Sequence, residues 1–167
     1  MVLPNARDTT MDLRFRKMTA RHSADAHALL QTFLREDEHY LDSSAAYGDA
    51  GPKALTRAIA LFLKRPELGF VWLAYADGKP AGCCVICYAV STSMGKVVGK
   101  LDDVFVASAY RGRGVGTRML KALKAELKKK NIGRIDTAVH KGNPGAARYY
   151  ARLGFKALGE QRLAVVL

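Results

Sequence analysis

Residues 111–116 read Arg-Gly-Arg-Gly-Val-Gly, and an apolar-periodic segment follows them. Such a run at the start of a helix suits an anion. Helix N-termini expose unpaired N–H groups and the positive end of the macrodipole. Glycines let backbone approach the anion and accept left-handed dihedrals. Arg111 and Arg113 add attraction at longer range. The chemistry implied is the holding of a phosphate or pyrophosphate. The run is not a P-loop, because the closing Gly-Lys-Ser/Thr is missing. Gly112, Gly114 and Gly116 also miss the G-x-G-x-x-G spacing, and three strand-like runs precede them, which argues against a dinucleotide fold. Folded, periodic flanks argue against an RGG-type RNA segment. A plain glycine-rich turn is the bland alternative.

Other residues carry proton chemistry. Asp102 and Asp103 are adjacent carboxylates in a strand-like run. A strand sends neighbours to opposite faces, so only one of the two is expected to face a given cleft. A carboxylate pair also attracts a cation. Tyr149 and Tyr150 lie together in a short helical segment that follows Asn143-Pro144, itself a turn signal. His140 is an alternative base. An acidic run over residues 35–42 contains Glu36, Asp37, Glu38, His39 and Tyr40, and ends the first helix. It would draw a cation, or it is a solvated helix end. Cys84-x-x-Cys87 is not at a helix start and has no second ligand pair, so no metal is expected. In a strand, Cys83 and Cys87 share one face and Cys84 takes the other. All three read as small buried hydrophobes.

These residues need a scaffold. The chain has 167 residues, 49% hydrophobic and 25% charged, enough for one domain with a real core. Collagen-like, low-complexity and disulfide-scaffold readings are excluded by that balance and by only three cysteines. No apolar run approaches the roughly 18–20 residues of a membrane helix. The first residues lack a signal-peptide pattern, so the cytosol is the expected setting. The net charge is +12. Residues 1–110 contribute only +1 of it, and residues 111–162 contribute +11. An anionic partner is therefore expected for that third of the chain, unless it is a solvated basic face.

Periodicity predicts a strand over Leu13–Met18, then a helix opened by Ser23 with Ala26, Leu29, Leu30, Phe33 and Leu34 inward. Gly51-Pro52 opens a second helix. Strands follow over Phe70–Ala76, Ala81–Val90 and Lys100–Ala107, with Asp77-Gly78 as a hairpin turn. The helix after the glycine run buries Met119, Leu120, Leu123 and Leu127, and Gly133 ends it. Arg134–His140 is another strand and Pro144–Leu153 a short helix. Phe155–Leu167 supplies one or two last strands. The order is that of a mixed α/β or α+β sheet with helices on its faces.

Arg111-x-x-Gly114-x-Gly116 resembles the R/Q-x-x-G-x-G/A signature of the GNAT N-acetyltransferase superfamily. Leu101–Val106 resembles its central strand, and Asn143-x-x-Ala146-x-x-x-Tyr150-x-x-x-Gly154-Phe155 resembles its N-x-x-A-x-x-x-Y-x-x-x-G-F segment. The stretch GKVVGKLDDVFVASAYRGRGVG is most similar to diamine (spermidine/spermine-type) acetyltransferases, although those carry Glu where this chain has Asp102. The resemblance implies a single domain over residues 12–167 after a flexible leader, residues 1–11. Its fold would be a central, mostly antiparallel twisted sheet with a splayed central strand and helices on both faces.

The resemblance also implies an activity: acetyl transfer from acetyl-CoA to a primary amine of a small molecule, by direct attack in a ternary complex. It makes Arg111, Gly112, Arg113, Gly114, Val115, Gly116 and Thr117 the pyrophosphate site. Phe105 and Val106 would meet the pantetheine arm through their backbone, and Asn143 would contact the same arm. Tyr150 would be the general acid for the thiolate and Asp102 the base, with Asp103, Glu36 and Tyr40 toward the amine. A homodimer follows by analogy, with no membrane partner. A protein or peptide N-acetyltransferase is the alternative within the class, and a CoA-binding regulator without catalysis is another. From a different class comes a nucleic-acid-binding module using Lys121, Lys124, Lys128, Lys129 and Lys130. The absence of interleaved aromatics argues against it.

Overall fold

Strand pairing in chain order makes the scaffold. The computed structural model describes residues 11–47 and 51–167. The expected leader thus lies outside the described residues, except for Met11, which packs against the core. Strands β1 (Leu13–Lys17), β2 (Gly69–Ala76), β3 (Lys79–Ser91), β4 (Lys96–Val106) and β5 (Ile135–Thr137) form one sheet in the order β1-β2-β3-β4-β5. All pairs are antiparallel except β4–β5. Asp77 (φ 49°) and Gly78 (φ 78°) close the β2–β3 hairpin, the two positive φ values that a type I′ turn demands.

Alternation along the central strands divides the core in two. On one face Phe70, Trp72, Ala74, Cys84, Ile86 and Leu101 pack against α4 (Val115–Lys129) and α5 (Pro144–Arg152). On the other, Val71, Leu73, Cys83 and Val85 pack against α1 (Ser23–Glu36) and α3 (Pro52–Lys64). The cysteines divide as expected, Cys83 and Cys87 on one side and Cys84 on the other. Helix α4 buries Met119, Leu120, Leu123 and Leu127, each contributing about 1.5–3 kcal/mol by leaving water. Lys124 Nζ donates to the Leu153 carbonyl at 2.8 Å and ties α5 to α4. The fold is mixed α+β, a mostly antiparallel sheet covered on both faces.

Two irregularities shape the middle of β4. It pairs with β5 only over Gly99–Leu101 against Ile135–Thr137, where β5 ends, so the β4 ladder on that side stops at Leu101. On its other side the register shifts, with Phe105 opposite Cys83 and Asp102 opposite Val85. Asp103 and Val104 together oppose Cys84, and Asp103 sits at φ 52°. This is a bulge, which bends a strand and re-aims side chains.

Four expectations are corrected. The acidic run does not simply end α1. Asp37 leaves the helix at φ −79°, ψ 108°, and its Oδ1 accepts from Tyr40 N at 2.8 Å. A separate helix, α2 (Glu38–Tyr47), starts on that cap. The strand expected over Arg134–His140 shrinks to Ile135–Thr137. Asn131 (φ 57°), not Gly133, turns the chain out of α4, and Ile132 N donates to the Leu127 carbonyl. No strand forms over residues 155–167, and residues 156–167 are exposed. A ladder needs an edge to pair with, and β5 offers three residues. No helix among the described residues is long and apolar enough to cross a membrane.

Candidate active site

The glycine run lies where β4 ends and α4 begins. Gly114 caps α4 in the left-handed region at φ 76°, and Gly112 has φ 71°. Space does not require glycine at either position, since an added Cβ would meet nothing within 4 Å. The dihedral requires it. Gly116 is different. A Cβ there would lie 3.2 Å from Tyr149 Oη and 3.3 Å from Val106 Cγ2, so one of those side chains would have to give by a few tenths of an ångström. Arg111 Nε donates to the Val106 carbonyl at 2.9 Å, and its guanidinium lies over the Phe105 ring. The loop is thereby strapped to β4. The result is a groove of about 410 Å³ lined by Val106, Arg111, Gly112, Gly114, Val115, Gly116, Thr117 and Tyr149. Arg113 is exposed and outside that lining, and the Phe105 side chain is buried in the α1–α3 core.

A second cleft, of about 710 Å³, adjoins the first. It is walled by α2, by the β4 bulge, by β5 with the loop after it, and by residues 160–164 of the tail. Val104, Ala146 and Tyr150 belong to both cavities. Tyr150 is 9% exposed and packs edge-on against Tyr149 and Phe155. Burial pushes its hydroxyl up to about 12, with the Thr137 hydroxyl working the other way. It therefore stays protonated through the neutral range and is available as a donor.

Asp102 and Asp103 both line this cleft. The expectation that only one could do so assumed a regular pleat, and the bulge removes the alternation. Their surroundings differ. Asp102 is ion-paired with Lys100 at 2.8 Å and lies 3.9 Å from Arg162. Asp103 has no ion pair among the described residues. Burial, then the charge of Asp102, pushes its carboxyl up to about 6, with Lys100 and Arg162 opposing and Asp37 adding to the rise.

Tyr40 lines the cleft with its ring against Phe33, whereas Glu36 is exposed and outside the lining. Asn143 lines it too, but its Oδ1 accepts from Ala146 N at 2.9 Å, so it caps α5. His140 stands at the rim. Its Nδ1 accepts from Gly142 N at 3.0 Å, and its Nε2 meets Asp42 Oδ2 at 2.6 Å. Both ring nitrogens are engaged, which leaves no lone pair for an incoming amine's proton. His39 stacks on it. The cysteines take no part, and burial pushes all three thiols up. Sequence reasoning missed Thr137 and Arg162, and gave Asp37 no separate role. An Asp just ahead of a helical run is a legible cap signal. Nothing local marks Thr137 or Arg162.

A family model described as "Acetyltransferase (GNAT) family" matches residues 24–155. The chain is 32% identical over 90 residues to a thialysine N-epsilon-acetyltransferase of Bos taurus, covering 51% of this chain and 52% of the relative. It is 43% identical over 63 residues to the spermine/spermidine N(1)-acetyltransferase of Bacillus subtilis, covering 36% and 40%. The chain spans about half the length of the curated relatives it matches. A solved aminoglycoside N-acetyltransferase in complex with CoA shares the fold, at a TM-score of 0.74 and 16% identity, over 95% of this chain and 97% of that one.

Proposed function

The chain belongs to the GNAT acetyltransferase family, and from that premise we propose that it transfers an acetyl group from acetyl-CoA to a primary amine of a small, polyamine- or amino-acid-like molecule. Attack is direct, in a ternary complex. One observation carries this reading: Tyr150, a buried phenol that keeps its proton, stands where an anion-cradling groove and an acidic cleft meet.

Acetyl-CoA fits the first groove by its chemistry. Its diphosphate suits the α4 N-terminus between Gly112 and Thr117, and the thioester supplies the acyl group. The amine enters past Asp37, Tyr40 and the bulge. Asp103 takes its proton. Asp102, the base expected from sequence, is held by Lys100 and serves to attract and orient the cation. A carboxyl lifted toward neutrality is the better-matched proton acceptor. Backbone N–H groups of the splayed β4 stabilise the charge developing on the carbonyl oxygen. Tyr150 protonates the leaving thiolate. A homodimer and a cytosolic setting complete the proposal, the first by analogy with the family.

The test is thiol release from acetyl-CoA across polyamines, amino acids, aminoglycosides and an N-terminal peptide, with Tyr150→Phe beside the wild type. Release should need one amine class and fall about 10²-fold or more in the variant, as expected for a lost general acid. Acetyl-CoA failing to bind the wild type would overturn the reading.

A further inference from the structure

The acceptor cleft carries charge of both signs, and this restricts what it can hold. Asp37, Asp102 and Asp103 line one side. The tail adds Arg162, whose Nη1 lies 3.9 Å from Asp102 Oδ1, and the loop after β5 adds Lys141. Lys100 holds the other Asp102 oxygen. Glu160, also on the tail, shares its field with Arg134.

A polyamine bears cations along its length and no anion. To reach Asp102 it must compete with Lys100 and Arg162, and it brings no anion to answer Arg162 and Lys141. An acceptor with one amine and one carboxylate meets both signs at once. A guanidinium presents a planar fork of donors that matches a carboxylate in two parallel hydrogen bonds. The Arg162 side chain is 54% exposed, so it reaches solvent in the cleft without any displacement of core.

We propose that Arg162 is a specificity-determining residue that holds the carboxylate of an amino-acid acceptor, while that acceptor's amine is delivered toward Asp103 and Tyr150. The inference rests on the acetyl-transfer reading and narrows its substrate class. It also accounts for the position of the tail, which has no ladder partner yet walls the cleft and brings a guanidinium up to the carboxylates.

The experiment compares acceptors that differ only by a carboxylate, lysine with cadaverine and ornithine with putrescine, adding spermidine. Wild-type kcat/KM should favour the amino acid of a pair by about ten-fold or more, the scale of one charge-assisted contact. Arg162→Gln should raise the amino-acid KM about 10–100-fold, leave kcat nearly intact, and lower the cadaverine KM, since the repulsion goes with the charge. Arg162→Lys should restore part of the loss, since it returns the charge without the fork. Thermal denaturation should be unchanged, because the side chain is exposed. Equal or better use of cadaverine, putrescine or spermidine by the wild type overturns the proposal. So does an equal effect of Arg162→Gln on both members of a pair. Acetyl-CoA binding without thiol release for any amine removes the acetyl-transfer reading itself, and this one with it.

Discussion

The two cavities that meet at Tyr150 are assembled differently. The glycine-rich groove draws about half of its lining from one short segment, residues 111–117 without Arg113, where its shape is a property of backbone, two left-handed glycines and a third that lets Tyr149 and Val106 come close; β4 and α5 supply most of the rest. The acidic cleft is made of side chains from α2, the β4 bulge, the β5–α5 loop and the tail, more than a hundred residues apart in the chain. Backbone-built recognition suits a ligand that stays the same. Side-chain-built recognition suits a ligand that differs from one relative to the next, because each wall can change alone.

The largest expected effect tests how the bulge divides labour within the cleft. Asp103→Asn should lower kcat about 10²–10⁴-fold, the scale of a lost general base. Asp102→Asn should act mainly on the acceptor's KM. Wild-type kcat/KM should rise with pH through about 6 and then level, because Asp103 must be ionised to accept a proton. The stability effect has the opposite sign. A carboxyl whose folded value is raised stabilises the fold when protonated, and that contribution is lost as pH rises from about 4 through 6. At pH 7 the Asn variant should therefore gain about 1–3 kcal/mol in denaturant unfolding. A collapse in Asp102→Asn with Asp103→Asn active would return the base to Asp102.

How much was legible follows the same division. The glycine-rich hexapeptide and Asn143-Pro144 marked the groove and the start of α5, because local conformation is written locally. The core stripes of α4 and the face-splitting of the cysteines were legible for the same reason. The bulge was not. It depends on β4 lying between a β3 out of register and a β5 that ends at Thr137, which no window of sequence contains. The tail misled. Residues 161–167, QRLAVVL, have strand composition, but a strand also needs an edge, and β5 is three residues long.

A smaller effect should separate the roles of two glycines. Gly114→Ala places a Cβ at φ 76°, a strain of about 1–2 kcal/mol. The KM for acetyl-CoA should rise several-fold while the acceptor's KM stays put. Gly116→Ala should do the same through contact with Tyr149 and Val106 rather than through dihedral strain. Tyr149→Phe should relieve part of the Gly116→Ala effect and none of the Gly114→Ala effect. A double-mutant cycle reads that difference, and purely additive values in both cycles would show that the Gly116–Tyr149 contact carries no coupling.

The smallest effect concerns Tyr149 alone. Its hydroxyl is buried with no hydrogen-bond partner among the described residues. Burial, and next the neighbouring Tyr150, push it upward, so it stays a neutral donor with nothing to donate to. An unmade hydrogen bond of a buried group costs folding energy, whereas removing the group outright can be neutral or stabilising. Tyr149→Phe keeps the ring that packs on Tyr150 and removes only the oxygen. Its thermal midpoint should hold or rise, by up to about 1 kcal/mol of stability. The direction tells the two cavities apart once more. If the variant loses stability, the hydroxyl is satisfied in solution, and the contact at Gly116 is part of the groove's polar wall. If it gains, that contact is packing, and the groove's hold on an anion comes from the backbone of residues 112–117 and from Arg111.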